Sequence, residues 1–409
     1  MKRLLAAAFA VLAGAPGLAA PSTADRPIVV LISIDGFRHD YLERLKPTVL
    51  TRLSEAGVWA KGLIPQFPSK TFPNHYTLVT GLRPTNHGII SNNMRAPDLP
   101  GRFSMSNRDV TLDPRWWKGE PVWNTLERQG GVAAAMFWPG SETLIGGRQP
   151  TFWSKFDDDL PHEERVGRIL EWLALPEPKR PAFLTLYFSD VDTAGHRYGP
   201  ESVEVQDAAL RVDRSLGDLV AGVERLGLAR RVHYIVVSDH GMAAVSRERL
   251  ILLDDYLDPA TVDLIDYSPV MALSPRDGDV DRVYRALKDK HPALDVYLNA
   301  EIPDVYRLAG NPRVAPVIGV MKEGWTIATR QEVERWSQPD RFTPGGAHGY
   351  DPRIEAMHGL FIATGSRFHS GRVIDSFENI HVYELMCALL GIEPAKNDGD
   401  IRVLRGLLK

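Results

Sequence analysis

Cysteine is almost absent from this chain: there is one, Cys387, in 409 residues. A single thiol excludes an internal disulfide framework and a thiolate metal cluster. It stands in the apolar stretch "YELMCALLGI" and reads as a core residue. Outside the N-terminus no apolar run reaches the ~18 residues of a membrane span, so none is expected in the mature chain. An excess of one charge is also missing. Lys plus Arg number 48 against 52 Asp plus Glu, a net −4. That balance argues against gripping a nucleic-acid duplex by bulk charge. Neither an internal repeat nor a low-complexity linker divides the chain.

What is present is a hydrophobic fraction of 44%, ample for a large core in one or two domains. The N-terminus, "MKRLLAAAFAVLAGAPGLAAPSTADRP", has a basic start, an apolar run and a small-residue end. This is the form of a secretory signal peptide, expected over 1–24, with cleavage between Ala20 and Asp25 and the mature chain over 25–409. No Cys lies near that point, so no lipid anchor is expected. A secreted chain without disulfides fits a bacterial periplasm.

Three segments share one form. "PIVVLISIDGF", "PAFLTLYFSDVD" and "RVHYIVVSDHG" are apolar runs that end in acidic residues. Between the second and third lies the amphipathic "VEVQDAALRVDRSLGDLVAGVERLGL", and "GLFIATG" is a further apolar strand. Strands alternating with helices predict an α/β fold with a parallel sheet, whose ligands gather at the carboxyl ends of the strands. Residues from about 250 to 340 carry a helix followed by a strand-like segment. They read as a small inserted α+β subdomain.

The acidic strand ends come with histidines. Asp35 ends the first strand, Asp192 and His196 lie four apart, Asp239 and His240 are adjacent, and His348 sits in "GGAHGYDP". One such residue alone is a helix cap or a packed side chain. Six together, all in Gly-rich turns, point to metal, and mixed Asp/His sets suit zinc better than an all-oxygen cation. Six ligands exceed one tetrahedral site, so two ions are expected. Two metals suit in-line displacement at phosphorus.

The stretch "FPSKTFPNHYTLVTGL" has Pro73 near a helix start and Gly81 past its end. A Thr at that start, Thr71, is by default a helix cap. Beside two metals it acquires a second reading, a nucleophile favoured by the helix dipole.

These pieces resemble the nucleotide pyrophosphatase/phosphodiesterases of the alkaline phosphatase superfamily. "SIDGFRHDYL", "FPSKTFPNHYTLVTGLRPTNHGIISNNM", "FWPGSE", "LYFSDVDTAGHRYGP", "SDHGM" and "GGAHGYDP" run in the family's order, from about 28 to 400. The resemblance implies an alkaline phosphatase-like, parallel-rich central sheet flanked by helices. It implies that Thr71 is the nucleophile, that Asp35, Thr71, Asp239 and His240 hold one Zn2+, and that Asp192, His196 and His348 hold the other. Asn92 would donate to a phosphoryl oxygen. Phe72 and Phe156 would wall a slot for a nucleobase, with Tyr187 near it and Trp138 and Glu142 at its border. Asn93 stands where some relatives have Lys, and "FSDVD" departs from the commoner Glu-x-Pro-Asp; the four-residue spacing to His196 selects Asp192 over Asp190. His75 and His87 read as packed, hydrogen-bonded residues. The implied activity is hydrolysis of nucleotide-like phosphodiesters and phosphoanhydrides to nucleoside 5′-monophosphates. Phosphomonoester or phosphonate hydrolysis, and cleavage of choline-type lipid head groups, are the alternatives on the same core.

Overall fold

The computed structural model describes residues 26–336 and 345–409; the expected signal peptide falls outside the described residues. In chain order the strands that build the site's frame are β1 (Ile28–Ile34), β2 (Val58–Ala60), β3 (Ala133–Met136), β4 (Phe152–Ser154), β5 (Phe183–Phe188) and β6 (Val232–Val237). They continue with β7 (Val262–Asp266), β8 (Val270–Pro275), β9 (Leu294–Leu298), β10 (Val317–Met321), β11 (Phe361–Thr364) and β12 (Arg372–Ile374).

Eight of these form one sheet in the order β12-β2-β11-β6-β1-β5-β3-β4. β1 pairs in parallel with both β5 and β6, and β3 pairs in parallel with β5 and β4. Every residue of β1 is buried, as the unbroken β-branched run requires of a central parallel strand. Its side chains alternate between two cores: Val29 and Leu31 face one, Ile28, Val30, Ile32 and Ile34 the other. β11, the "GLFIATG" strand, departs from the parallel expectation. It runs antiparallel to both β6 and β2, so the sheet is mixed at that side.

Helices α1 (Thr71–Thr80), α2 (Asp190–Tyr198) and α3 (Val203–Arg225) complete the frame. The Ser202 side chain accepts from Val205 N–H and starts α3. Val205, Ala208, Ala209, Val212, Leu216, Leu219 and Val223 then bury one helical stripe against the sheet. β7 to β10 form a separate antiparallel sheet in the order β7-β8-β10-β9. One of its faces carries Met271 and Leu273 into a local core with Val283 and Leu287; Val270, Ile318 and Val320 pack on the main body. Among the described residues no helix is long and apolar enough to cross a membrane.

Candidate metal centre and adjoining cleft

The parallel strands β1, β5 and β6 end side by side, with Ile34 opposite Phe188 and Ser33 opposite Val237. The chain leaves each end into a turn or helix start. That places Asp35 after β1, Asp192 and His196 on α2 after β5, and Asp239 and His240 after β6. Asp192 and His196 are one turn apart and share a helix face. His348 follows a two-residue strand, Gly346–Ala347, which pairs with Ala243–Ala244 just beyond His240. Gly36 turns the chain with φ +67, and a side chain there would meet Asp192 Cα at 2.8 Å. The bare glycine lets the first strand end approach α2.

The six side chains converge. His240 Nε2 lies 3.0 Å from Asp239 Oδ2 and 3.4 Å from Asp35 Oδ1. His196 Nε2 and His348 Nε2 are 3.0 Å apart, and each is within 3.6 Å of Asp192 Oδ1. The His240 and His348 rings stack at 3.5 Å. Each imidazole is turned by its other nitrogen. Nδ1 of His240 donates to Gly241 O, that of His348 to Ser69 O and that of His196 to Gly346 O. A carbonyl only accepts, so Nε2 of each ring faces the centre and offers a lone pair there when the ring is neutral, the arrangement found around metal-ligating histidines. Asp35 Oδ1, Asp192 Oδ1 and Asp239 Oδ2 are buried without a hydrogen-bond donor. Acceptors thus face acceptors, and a cation satisfies such a set. Asp192, His196 and His348 bring ligand atoms within 4.8 Å of one another, as do Asp35, Asp192 and His240.

The electrostatics follow from this crowding. Burial, with the Asp239 and Asp192 carboxylates, pushes the Asp35 carboxyl well above its ordinary range. Burial also pushes Asp239 up, but the imidazoles of His240 and His75 outweigh it and hold that carboxyl well below. Burial and the neighbouring imidazoles of His240 and His196 push His348 well down. The Tyr187 hydroxyl donates to Asp35 Oδ2 at 2.6 Å, and burial and that carboxylate keep the phenol protonated.

Thr71 opens on this centre, but not as a cap. The capping position belongs to Lys70, in extended conformation and without a side-chain cap bond; Thr71 is the first helical residue of α1. The default cap reading is therefore wrong. Thr71 Oγ1 instead lies 3.3 Å from His240 Nε2, at the positive end of a ten-residue helix. Gly81 closes α1 in the left-handed conformation, as its position predicts. Asn92 Oδ1 accepts from Phe72 N–H at 2.9 Å, which fixes the carboxamide beside the start of α1.

His75, one turn along α1 from Thr71, reaches the centre too. Its Nδ1 is 3.3 Å from Asp239 Oδ2, but it donates to Thr71 O at 2.9 Å while Nε2 meets Ser33 Oγ at 2.8 Å. Both nitrogens are committed, so His75 orients the centre instead of offering a lone pair. His87 is buried against Thr77. Asp190 turns away to His162 and Arg211.

Beside Thr71 lies a cleft of about 330 Å³. Phe72, Phe156, Tyr187, Trp138 and Glu142 line it, joined by Arg108, Lys155 and Phe137. Phe72 packs on Phe103 and Trp117, while Phe156 is half exposed and meets Phe137 and Tyr187 edge-on. Glu142 holds the Phe156 loop by accepting from Phe156 N–H at 2.9 Å, and pairs with Arg108. Arg108 and Lys155 carry no spacing signal and were not legible in the sequence. A larger groove of about 880 Å³ lies on the opposite face of α2. His162 and Arg211 both pair with Asp190 there, and among the described residues no metal-type group forms in it.

Residues 29–351 match the family described as type I phosphodiesterase / nucleotide pyrophosphatase. A venom phosphodiesterase of Crotalus durissus collilineatus is 38% identical over 402 residues, covering 95% of this chain and 47% of that protein. Ectonucleotide pyrophosphatase/phosphodiesterase family member 1 of Mus musculus is 37% identical over 403 residues, covering 95% of this chain and 43% of that one. The chain spans about half the length of the curated relatives it matches. The solved structure of murine ectonucleotide pyrophosphatase/phosphodiesterase 5, an inactive threonine-to-alanine variant in complex with AMP, matches with a TM-score of 0.87 and 36% identity. It covers 94% of this chain and 100% of that chain.

Proposed function

The chain belongs to the type I phosphodiesterase / nucleotide pyrophosphatase family, and on that premise we propose that it hydrolyses nucleotide-like phosphodiesters and phosphoanhydrides through a covalent Thr71 intermediate. The observation that carries this reading is Thr71 Oγ1 at a helix N-terminus, 3.3 Å from the Asp/His centre and at the mouth of an aromatic cleft.

Asp35, Thr71, Asp239 and His240 would hold one Zn2+, and Asp192, His196 and His348 the other; the convergence of Asp192, His196 and His348 supports the second set, and His240 Nε2 close to Asp35 Oδ1 and Asp239 Oδ2 supports the first. Two zinc ions bound there would ease ionisation of the Thr71 hydroxyl and of water, and neutralise phosphoryl oxygens. Thr71 Oγ1 attacks the α-phosphorus and forms a Thr–O–P bond as the bond to the leaving group breaks. Water then attacks the same phosphorus, the Thr–O–P bond breaks, and a nucleoside 5′-monophosphate leaves. The Asn92 carboxamide, held by Phe72 N–H through its oxygen, donates its NH2 to the phosphoryl oxygen that gains charge. Phe72 and Phe156 sandwich the base. Tyr187 lines the slot with its ring and steadies Asp35 with its hydroxyl.

The separate antiparallel sheet β7 to β10 supports reading residues from about 250 to 340 as an insert on this catalytic domain, of which 337–340 lie outside the described residues. The mature chain works outside the cytoplasm. The ecto- and venom names of its relatives support export, and the single cysteine favours a bacterial periplasm. Products from ATP, a dinucleotide, a choline phosphodiester and a simple phosphomonoester, compared side by side, test the reading. A nucleoside 5′-monophosphate from the first two is expected. Faster turnover of the monoester or the choline substrate would overturn it.

A further inference from the structure

Asp266 ends β7, far in sequence from the centre, yet its carboxylate is buried against both loops of the proposed site. The β7–β8 register shifts between Leu264 and Asp266. Such an irregularity breaks a strand's alternation and re-aims a side chain. Oδ2 accepts from Lys70 Nζ at 2.6 Å and from the Ser91 hydroxyl. Oδ1 accepts from Asn93 Nδ2 at 3.3 Å and from Tyr267 N–H at 3.0 Å. Lys70 immediately precedes Thr71, and Ser91 and Asn93 flank Asn92. The Phe72 N–H to Asn92 bond closes a ring that runs from Asp266 through Lys70, α1 and Asn92 back to Asp266.

A buried carboxylate is costly unless paired and hydrogen-bonded, and apolar residues would dock two elements as well. What four donors on one carboxylate supply is geometry. The Lys70 and Asp266 side chains are only 6% and 7% exposed, so their attraction is little screened. We propose that Asp266 is a positioning residue for phosphoryl transfer, which sets the spacing of Thr71 and Asn92 by holding the neighbours of both from the four-stranded sheet. The proposal rests on the roles given above to Thr71 and Asn92.

The test is a double-variant cycle on the full mature chain, with a p-nitrophenyl nucleoside 5′-phosphate as substrate and metal content measured in parallel. Asp266→Asn should lower kcat about 10- to 100-fold, the scale of a small misplacement of reacting groups, with KM changed by no more than about threefold and metal content unchanged. Ser91→Ala, which removes one donor and leaves no charge unpaired, should lower kcat in the same direction by about 3- to 10-fold. Asn92→Ala alone should cost about 100- to 1,000-fold, and adding Asp266→Asn to it should cost less than about threefold more. A full additional loss in the Asn92→Ala background, or wild-type kcat in Ser91→Ala, would overturn the proposal while leaving Asn92 in its role. Wild-type kcat in Asn92→Ala alone would overturn the role of Asn92 and the proposal together.

Discussion

Phe156→Ala isolates the aromatic slot from the chemistry. Phe156 is 46% exposed and touches Phe137 and Tyr187 edge-on, at centroid distances of 5.2 and 6.1 Å. Removing a half-buried ring forfeits roughly half of a full aromatic burial, about 1–1.5 kcal/mol, so the variant stays folded. The hydrogen bond from Phe156 N–H to Glu142 survives because it uses the backbone. Stacking of a base on an aromatic ring is worth about 1–3 kcal/mol. The expected loss in kcat/KM for a p-nitrophenyl nucleoside 5′-phosphate is therefore about 5- to 150-fold at RT of about 0.6 kcal/mol. A methyl p-nitrophenyl phosphodiester has the same reacting centre and no base, so its kcat/KM should change by less than about twofold. Phe156→Tyr should restore the nucleotide substrate. Equal losses on both substrates would refute the slot and place Phe156 in the support of the centre itself.

Four further outcomes follow from the same geometry. Removing metal with a chelator should abolish turnover, and zinc should restore it better than magnesium; full activity in verified metal-free protein would end the di-zinc reading. Gly36→Ala pushes a methyl to 2.8 Å from Asp192 Cα at a φ of +67, so it should lower zinc content and kcat together by equilibrium dialysis and rate assay; unchanged zinc content would contradict this. Thr71→Ala should leave a folded, zinc-binding protein with turnover down at least about a thousandfold, while Thr71→Ser retains part of the rate. His87 is pushed down to about 3 by burial, below its ordinary unfolded value near 6.5, so the unfolded chain binds the extra proton. Its contribution is present above pH ~6.5 and lost as pH falls toward ~3, by up to about 1.4 kcal/mol per pH unit. In urea melts the stability gap between wild type and His87→Gln should narrow from pH 7.5 to 5; a constant gap would contradict the burial argument.

How far the sequence reaches is visible in single residues. The strands that run into Asp35 and Asp239 are legible because a buried parallel strand is apolar on both faces, so the acidic residue just past it marks its carboxyl end. Asp192 and His196 are legible through helical spacing. The antiparallel run of β11 is not, because strand direction is fixed by partners far away in the chain. Thr71 as a cap fails for a local reason: the helix begins one residue earlier than a Thr71 cap requires, with Lys70 extended before it. Asp266 carries no signal at all. Its side-chain partners lie 173 to 196 residues away, and its strand reads like any other.

Whether Thr71 forms a bond to phosphorus is read from the configuration at phosphorus. Each in-line displacement inverts that centre. A nucleoside phosphorothioate diester of known configuration, hydrolysed in isotopically labelled water, should give product with configuration retained after two displacements, one by Thr71 Oγ1 and one by water. Inversion would mean a single direct attack by water, and Thr71 would be left as a metal ligand at the start of its helix.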